Sequence, residues 1–248
     1  MIKGITYSSG NMEQSAAKCI ASMKNHGFDK AERLYCDQCP DCLGDFYILN
    51  SKTLKAERGA GYWLWKPYLI FHAMYFMNDD DILVWSDAGI EWIGNVREIV
   101  NRMDQDIFMF TNGWKHVEWC KMDCIMAING YDDSDFRGTD YDVRVYAEFT
   151  QVQASVIFFR VNQKTRDFVK EWLLWCQMPG FIDDSPSKMA NYPTFSEHRH
   201  DQAILTCLAI KYGYNFNHWW PTPYSMHLPR TDQYPVLFSH HRKRDNEF

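Results

Sequence analysis

The sequence predicts an α/β protein, a single domain with a central mixed, mostly parallel sheet of about six strands flanked by helices. Two observations lead to this prediction. Apolar runs of strand length alternate with helical patterns along the 248 residues, an order typical of sheets covered by helices on both faces. No internal repeat, low-complexity run or Ser/Gly-rich linker divides the chain, so we expect one domain over residues 1–248.

The first half of the chain predicts strands and helices in alternation. They are expected in this order: a strand at 2–9, a helix at 12–26 stopped by Gly27, a strand at 30–36, a polar loop at 37–60, an apolar helix at 62–77 and a strand at 82–86. Pro67 fits the first turn of the apolar helix, because the backbone N–H groups there have no partner in the helix.

The second half continues the alternation. We expect a helix near 94–104, strands at 106–111 and 152–161, an amphipathic helix at 163–177, an irregular segment at 179–197 and a helix at 200–213 stopped by Gly213. No regular structure is expected in the tail.

Composition and motifs exclude several classes of function. A net charge of −6 argues against a nucleic-acid binder that works by neutralising phosphates. The motifs of P-loop ATPases, Rossmann dehydrogenases, HExxH zinc proteases and GxSxG hydrolases are absent. Aromatic residues make up 16% of the chain, with 10 Trp and 14 Tyr, and such rings stack on sugars and bases.

The N-terminus lacks the apolar region of a secretory signal, and no window approaches 18 uncharged apolar residues. We therefore expect a cytoplasmic protein whose eight cysteines are reduced. Cys36, Cys39 and Cys42 form C-x2-C-x2-C, but a closed zinc site needs four ligands. Because Cys120 and Cys124 would have to fold back to supply the fourth, we interpret the triplet as thiols of a polar loop.

The strand at 82–86 ends on Asp87, which is followed by Ala88 and Gly89. Ligands of α/β proteins bind at the carboxyl ends of strands. A carboxylate there can meet a divalent ion or a ribose hydroxyl, and two small residues leave room for the ligand. The acidic run at 79–81 is interpreted as a solvated turn before the strand.

The segment HRHDQ, residues 198–202, precedes an apolar helix. Asp201 there has two compatible interpretations. It can cap the helix N-terminus, or it can belong to a polar site, because a helix N-terminus beside cations favours bound anions.

The basic stretch at 237–244 also leaves two interpretations open. It is either a frayed tail or a site in which His240 or His241 ligates a metal and Arg242 or Lys243 meets phosphate.

Five segments in this order resemble small GT-A-type glycosyltransferases of bacterial surface-polysaccharide synthesis and large DNA viruses. They are GAGYWLWKPYLI, DDDILVWSDAGIEW, VQASVIFFR, EHRHDQAIL and HHRKRD. The chain also resembles, more distantly, the glycogenin and lipopolysaccharide galactosyltransferase family. The resemblance covers most of residues 1–245. It implies a GT-A fold with a nucleotide-binding half at 1–112 and a half for the donor sugar and acceptor at 113–248.

The resemblance also implies roles for individual residues. Asp87 matches the first Asp of the D-x-D motif that holds a metal on the donor diphosphate, while Gly89 replaces the second Asp. Lys66 matches a basic residue facing the diphosphate. The full implied set comprises the donor-binding residues Thr6, Tyr7, Lys66, Asp87, Gln153 and His200, the catalytic residues Asp201 and Gln202, and the metal ligands Asp87, His240 and His241.

The function implied is transfer of a hexose from a nucleotide sugar, with a UDP-sugar expected, to a glycan acceptor with the help of Mn²⁺ or Mg²⁺. Such a site must neutralise a departing diphosphate and stabilise a positive sugar ring. Because the D-x-D motif is incomplete, two alternatives stay open. They are a non-catalytic GT-A-like module that binds nucleotide or glycan, and a nucleotide-sugar hydrolase.

Overall fold

The computed structural model describes residues 1–34, 40–129, 146–218, 221, 235–241 and 243–247, with the backbone alone at 40–44. Cys36, Cys39, the Cys42 side chain and Arg242 therefore lie outside the described residues. Within the described ranges, no helix combines the length and apolar character that crossing a membrane requires.

The regular elements follow the predicted alternation closely. The strands are β1 (Ile2–Tyr7), β2 (Lys30–Leu34), β3 (Ile82–Ser86), β4 (Ile90–Trp92), β5 (Ile107–Phe108), β6 (Thr111–Lys115), β7 (Thr150–Val152), β8 (Val156–Arg160) and β9 (Phe238–His240). The helices are α1 (Glu13–Asn25), α2 (Pro40–Leu49), α3 (Ser51–Leu54), α4 (Gly59–Tyr62), α5 (Trp65–Tyr75), α6 (Arg97–Val100), α7 (Met122–Ile128), α8 (Gln163–Gln177) and α9 (His200–Lys211). Short 3-10 turns occupy His116–Glu118 and Asp245–Glu247.

The central sheet is mixed and mostly parallel, as predicted, with the strand order β2-β1-β3-β8-β5. β1 runs parallel to both β2 and β3, and β8 runs antiparallel to β3 and β5. Four of these five strands therefore point the same way. The predicted number of about six was one too many for this sheet in the described residues, because β4 pairs with β9 and β6 with β7 in separate two-stranded ribbons.

Helices and loops cover both faces of the sheet. Alternate residues of β3 enter different cores: Leu83 and Trp85 pack with α5, α7, α8 and α9 on one face, and Ile82 and Val84 pack with α1 on the other. Successive side chains of a strand point to opposite faces, so a sheet buried on both sides reads as the continuous apolar run seen at 82–85. This arrangement places α5 and α9 over the same face.

Several predictions of secondary structure were wrong. The strand expected at 106–111 is divided between β5, which ends at Phe108, and β6, which begins at Thr111, and the helix expected near 94–104 is only Arg97–Val100. The polar segment 37–60 contains α2 and α3, and Pro40 occupies the first position of α2, where proline is well tolerated. The run at 152–161 is two strands, because the chain leaves the β6–β7 ribbon after Val152 and enters the central sheet at Val156. The tail contributes β9, which pairs with β4. The pairing joins segments far apart in the sequence, so the pattern of residues around β9 alone does not predict a strand.

The backbone of α4 and of Trp63 after it is left-handed over five consecutive residues, so α4 is a left-handed turn and not a regular α-helix. The φ angles at 59–63 are 58°, 48°, 99°, 54° and 60°, and only Gly59 and Gly61 are glycine. An added Cβ at Gly61 would lie 2.6 Å from Leu54 Cα, so glycine is required there for space as well. L-residues with positive φ are strained and persist only where the surroundings fix them. This left-handed turn leads directly into the first turn of α5.

We expect Ala60→Gly to raise the free energy of unfolding by about 0.5–1 kcal/mol. Glycine removes the penalty that an L-residue carries at φ 48°, and this gain exceeds the extra entropy of glycine in the unfolded chain. The matched control is Ala17→Gly, in the exposed face of the regular helix α1, which should lower stability by about 1 kcal/mol. Urea unfolding of both variants measures whether the free energy of unfolding rises or falls. A loss of stability in Ala60→Gly contradicts the strain assigned to this turn.

Candidate functional site

Three charged side chains from three elements meet at the carboxyl end of β3. Lys66 Nζ lies 3.2 Å from Asp87 Oδ1 and 3.1 Å from Asp201 Oδ2. It also donates to the Ala154 carbonyl at 3.3 Å. The contact with Ala154 has hydrogen-bond geometry, whereas the two carboxylate contacts are ion pairs, and Asp201 Oδ2 has no hydrogen-bond partner among the described residues. We call Lys66, Asp87 and Asp201 the charged triad.

Local periodicity explains why two of these side chains face each other. Lys66 lies on the buried stripe of α5 with Ile70 and Ala73, since residues three or four apart share a helix face. Asp87 continues the alternation of Leu83 and Trp85 in β3, whose side chains point toward α5. A lysine on a core-facing stripe is costly unless it meets a carboxylate. The pattern of the sequence therefore indicates that Lys66 and Asp87 face each other, but it does not indicate the contact with Asp201.

Burial and charge determine the protonation of the triad. Burial by itself would lower the pKa of Lys66, but the Asp201 and Asp87 carboxylates outweigh it and hold that pKa above its ordinary value. Burial raises the pKa of Asp201 to about 6, with a further increase from Asp87 and an opposing contribution from Lys66. With all three groups charged, the triad carries a net charge of −1.

Asp87 forms the accessible side of the triad. Its side chain is 25% exposed, against 5% for Asp201 and 3% for Lys66. The Trp85 indole N–H donates to Asp87 Oδ1 at 2.8 Å, so Oδ1 has two partners. In the described part of the chain, Oδ2 accepts no hydrogen bond. This oxygen can therefore contact a ligand from solvent.

An amide network holds the Ala154 carbonyl over Lys66. Gln202 Nε2 donates to Gln151 Oε1 at 2.7 Å, and Gln202 Oε1 accepts from the Ala154 N–H at 3.1 Å. Gln153 Nε2 donates to Ser155 Oγ at 2.9 Å, and the Asp87 N–H donates to the Ser155 carbonyl at 2.8 Å. The structure thus brings predicted residues Gln153 and Gln202 to the triad. The oxygen and the nitrogen of the Gln202 side-chain amide are therefore both hydrogen-bonded to protein groups.

Asp201 does not cap the helix at 200–211, so the first interpretation of HRHDQ was wrong. Arg199 is the N-cap residue of α9 and makes no capping hydrogen bond through its side chain. The Asp201 carboxylate turns to Lys66 instead. His200 is buried with φ 51°. Its Nδ1 lies 2.7 Å from the Ile182 carbonyl, and its ring lies 5.0 Å from Tyr62, so protein groups surround it.

The predicted residues of β1 and β9 are less directly connected to the triad. Thr6 is completely buried, and Tyr7 is buried with its ring 4.3 Å from that of Trp65. His240 is paired with Ile90 across the β4–β9 ribbon, and the His241 N–H donates to the Gly89 carbonyl at 3.0 Å. The two histidines therefore lie beside the loop that follows Asp87.

The predicted metal ligands do not form a compact trio. In the described part of the chain, Asp87, His240 and His241 are not a group whose three ligand atoms lie within 4.8 Å of one another. A metal at this place would rest on Asp87 Oδ2 and one imidazole. The metal role of these residues stays a prediction.

Sequence reasoning missed three contributors to this site. Trp85 donates to Asp87, and its position two residues earlier in the same strand was a usable signal, because such residues share a face. Gln151 of β7 orients Gln202 of α9 by accepting a hydrogen bond from its amide, and this contact joins residues far apart in the sequence. The Ala154 carbonyl binds Lys66 through the backbone, and a backbone acceptor has no signature in the residue type.

Comparison with known proteins identifies the fold. No family model and no curated protein matches the sequence. The structure of a glycosyltransferase involved in the glycosylation of the major capsid of PBCV-1 aligns with a TM-score of 0.51 and 11% identity, over 99% of this chain and 96% of that chain. At this identity the match shows a shared fold. The predicted fold class, and the expected likeness in fold to glycosyltransferases, are confirmed.

Two further solved structures align with lower scores. Mouse xyloside xylosyltransferase 1 in its apo form has a TM-score of 0.49 and 10% identity, over 97% of both chains. The apo structure of the bifunctional glycosyltransferase WbbM has a TM-score of 0.47 and 13% identity, over 89% of this chain and 38% of that chain.

We expect Asp201→Asn to change the dependence of stability on pH. The carboxyl has an ordinary pKa of 3.8 when unfolded and about 6 when folded, so between these values the folded state binds the extra proton. The contribution of Asp201 to stability is therefore largest below about pH 4 and is lost, relative to the variant, as pH rises through 6. Two units of pKa correspond to roughly 3 kcal/mol.

Urea unfolding of both proteins at about pH 4 and pH 7.5 measures this difference. The matched control is Asp79→Asn, an exposed aspartate before the amino end of β3, which should follow the parent protein at both pH values. A constant gap between the parent protein and Asp201→Asn at all pH values contradicts the raised pKa.

Proposed function

We propose that this chain is a glycosyltransferase that moves a hexose from a nucleotide-sugar donor, a UDP-hexose, to a glycan acceptor. The observation that carries the proposal is the charged triad at the carboxyl end of β3, where Lys66 joins Asp87 to Asp201. Ligands of α/β sheets bind at this edge. The fold shared with a viral glycosyltransferase is consistent with this reaction class.

The charge of the triad supports a donor that arrives with a cation. Glycosyl transfer releases a nucleoside diphosphate, and the site must neutralise the negative charge that develops on it. Lys66 supplies one positive charge, but two carboxylates leave the triad at −1, which repels a diphosphate. A divalent ion between the accessible carboxylate and the phosphates reverses this balance.

Asp87 Oδ2 and one imidazole, from His240 or His241, would hold this Mn²⁺ or Mg²⁺. Carboxylate and phosphate oxygens suit both ions, and an imidazole is more acceptable to Mn²⁺. When bound, the ion supplies positive charge to the departing diphosphate. Because Gly89 contributes no side-chain ligand, the protein offers few ligands by itself. We therefore expect tight metal binding only together with the nucleotide, whose oxygens complete the coordination.

Asp201 and Gln202 have different roles in this proposal. Asp201 is ionised above a pKa of about 6, and its negative charge stabilises a sugar ring that becomes positive in the transition state. Gln202 positions the segment 153–155, because it binds the Ala154 N–H and Gln151. Lys66 forms ion pairs with Asp87 and Asp201 and a hydrogen bond with the Ala154 carbonyl. These contacts keep the two carboxylates at a fixed separation. The chain's own residues thus orient both ends of the bond that breaks.

We expect Asp87→Asn to weaken Mn²⁺-dependent UDP binding at least tenfold, a loss of about 1.4 kcal/mol or more. The amide keeps the shape of the side chain but loses the charge that holds the ion. Calorimetry with UDP, with and without Mn²⁺, measures the effect. The control Asp79→Asn changes a carboxylate near the opposite end of the same strand and should bind UDP as the parent protein does.

The same preparations separate the possible functions. Calorimetry with UDP, GDP and CMP identifies the nucleotide, and no binding to any of them contradicts both the enzyme and the nucleotide-binding module. Consumption of UDP-glucose or UDP-galactose only with a sugar acceptor present supports the transferase. Consumption without an acceptor indicates a hydrolase, and binding without turnover indicates a module. If Asp87→Asn binds UDP and Mn²⁺ like the parent protein, the proposed role of Asp87 is wrong.

A further inference from the structure

A second cluster of reactive side chains is buried beneath α9, and the proposed glycosyl transfer does not use it. Its members share metal-ligating chemistry and are at most 3% exposed: His116, Cys120, Cys124, His198 and Cys207. They come from the 3-10 turn at His116–Glu118, the residues around the start of α7, the segment just before α9, and α9 itself. Buried polar groups normally have strong partners, so a concentration of thiols and imidazoles calls for an explanation.

Three ligand atoms of this cluster already have the spacing of a tetrahedral zinc site. His116 Nε2 lies 3.3 Å from Cys207 Sγ, and Cys120 Sγ lies 3.7 Å from Cys207 Sγ. With Zn–S bonds of about 2.3 Å and Zn–N bonds of about 2.0 Å, tetrahedral geometry separates two sulfurs by about 3.8 Å and a sulfur and a nitrogen by about 3.5 Å. The three atoms also lie within 4.8 Å of one another.

The fourth ligand comes from an overlapping group, in which Cys120, Cys124 and His198 also lie within 4.8 Å of one another. His198 Nδ1 already accepts the Lys121 N–H at 3.2 Å, so the neutral ring carries its proton on Nε2 and neither nitrogen offers a free lone pair to a metal. Cys124 Sγ makes a weak contact with the Phe181 carbonyl at 3.4 Å. Cys124 is therefore the better candidate. In the described part of the chain it is not in one 4.8 Å group with His116 and Cys207, so its side chain has to rotate toward them when the ion binds. The spacing of Cys120 and Cys124, C-x3-C, also falls within the range of structural zinc sites.

Other uses of these side chains fit less well. Burial raises the pKa of both Cys120 and Cys207, so the metal-free thiols are protonated and out of reach of substrates, unlike catalytic nucleophiles. A Cys120–Cys207 disulfide requires an oxidant and a sulfur separation of about 2.05 Å. Zinc requires only that three thiols lose their protons to solvent as the ion binds. No electron is transferred.

We propose that His116, Cys120, Cys124 and Cys207 bind one structural Zn²⁺. Three thiolates and one neutral imidazole form a Cys3His set, which is a structural zinc site. Cys207 lies six residues after Asp201 in the same helix, about 9 Å along its axis. The ion would thus fix α9, and with it Asp201, to the segment 116–124. The proposal does not depend on the identity of the donor or on glycosyl transfer.

Elemental analysis of the full chain, purified from zinc-supplemented cells, tests the site directly. We expect about one zinc per chain in the parent protein and less than a tenth of that in Cys207→Ser. The matched control is Cys19→Ser, a buried cysteine of α1 on the opposite face of the sheet, which should retain the zinc. Replacement by Co²⁺ should give thiolate-to-cobalt absorption in the parent protein and the control, and none in Cys207→Ser.

A measurement on the parent protein keeps the test valid if Cys207→Ser does not fold. Removal of zinc by a chelator should lower the melting temperature, and added Zn²⁺ should restore it, because metal binding contributes to folding. Three results overturn the proposal: no zinc or cobalt binding by the parent protein, a Cys120–Cys207 disulfide in its place, or full zinc retention in Cys207→Ser. In the last case, loss of zinc on replacing Cys36, Cys39 and Cys42 would assign the ion to that triplet.

Discussion

The rest of the structure depends on one buried ammonium held between two carboxylates. Taking a charge out of water costs several kcal/mol, and opposite charges and hydrogen bonds close by offset that cost. Lys66 forms ion pairs with Asp87 and Asp201 and donates a hydrogen bond to the Ala154 carbonyl. Removing one carboxylate from such a group typically costs 3–5 kcal/mol, because a charge is left without its partner. The ends of β3, α5 and α9 are therefore held at a fixed separation.

Backbone strain is concentrated around the same place. The left-handed turn at 59–63 precedes α5, and His200, also at positive φ, begins α9. The two strained segments touch, because the ring of Trp63 stacks on that of His200 at 5.5 Å. Such conformations persist only when their surroundings fix them. The helices that carry Lys66 and Asp201 thus begin at positions fixed before any ligand arrives, as a preorganised electrostatic site requires.

The remaining contacts of α9 extend this rigidity along the helix. The Trp172 indole N–H of α8 donates to the Asp201 carbonyl at 3.0 Å, and Thr206 Oγ1 accepts the Val152 N–H at 3.1 Å. Beyond them lies Cys207 with the cluster proposed to bind zinc. Along its length, α9 is therefore joined to α8 through Asp201, to β7 through Thr206 and to the segment 116–124 through Cys207. A helix fixed in this way can hold a carboxylate with a raised pKa, which a mobile helix would expose to water.

The sequence by itself determined several of the regular elements and the position of Asp87 at a strand end. Period-2 and period-3.6 patterns predicted β3, α8 and α9 closely, and the end of a buried strand marked Asp87, because these signals reside in neighbouring residues. The helices at 40–54, the division of 152–161 and the pairing of β9 were missed, since packing and long-range pairing decide them. Only the tertiary structure decided that Asp201 pairs with Lys66 and does not cap its own helix. The physical reason is that a buried charge takes the partner that folding brings to it, and positions 66, 87 and 201 meet only in the folded chain.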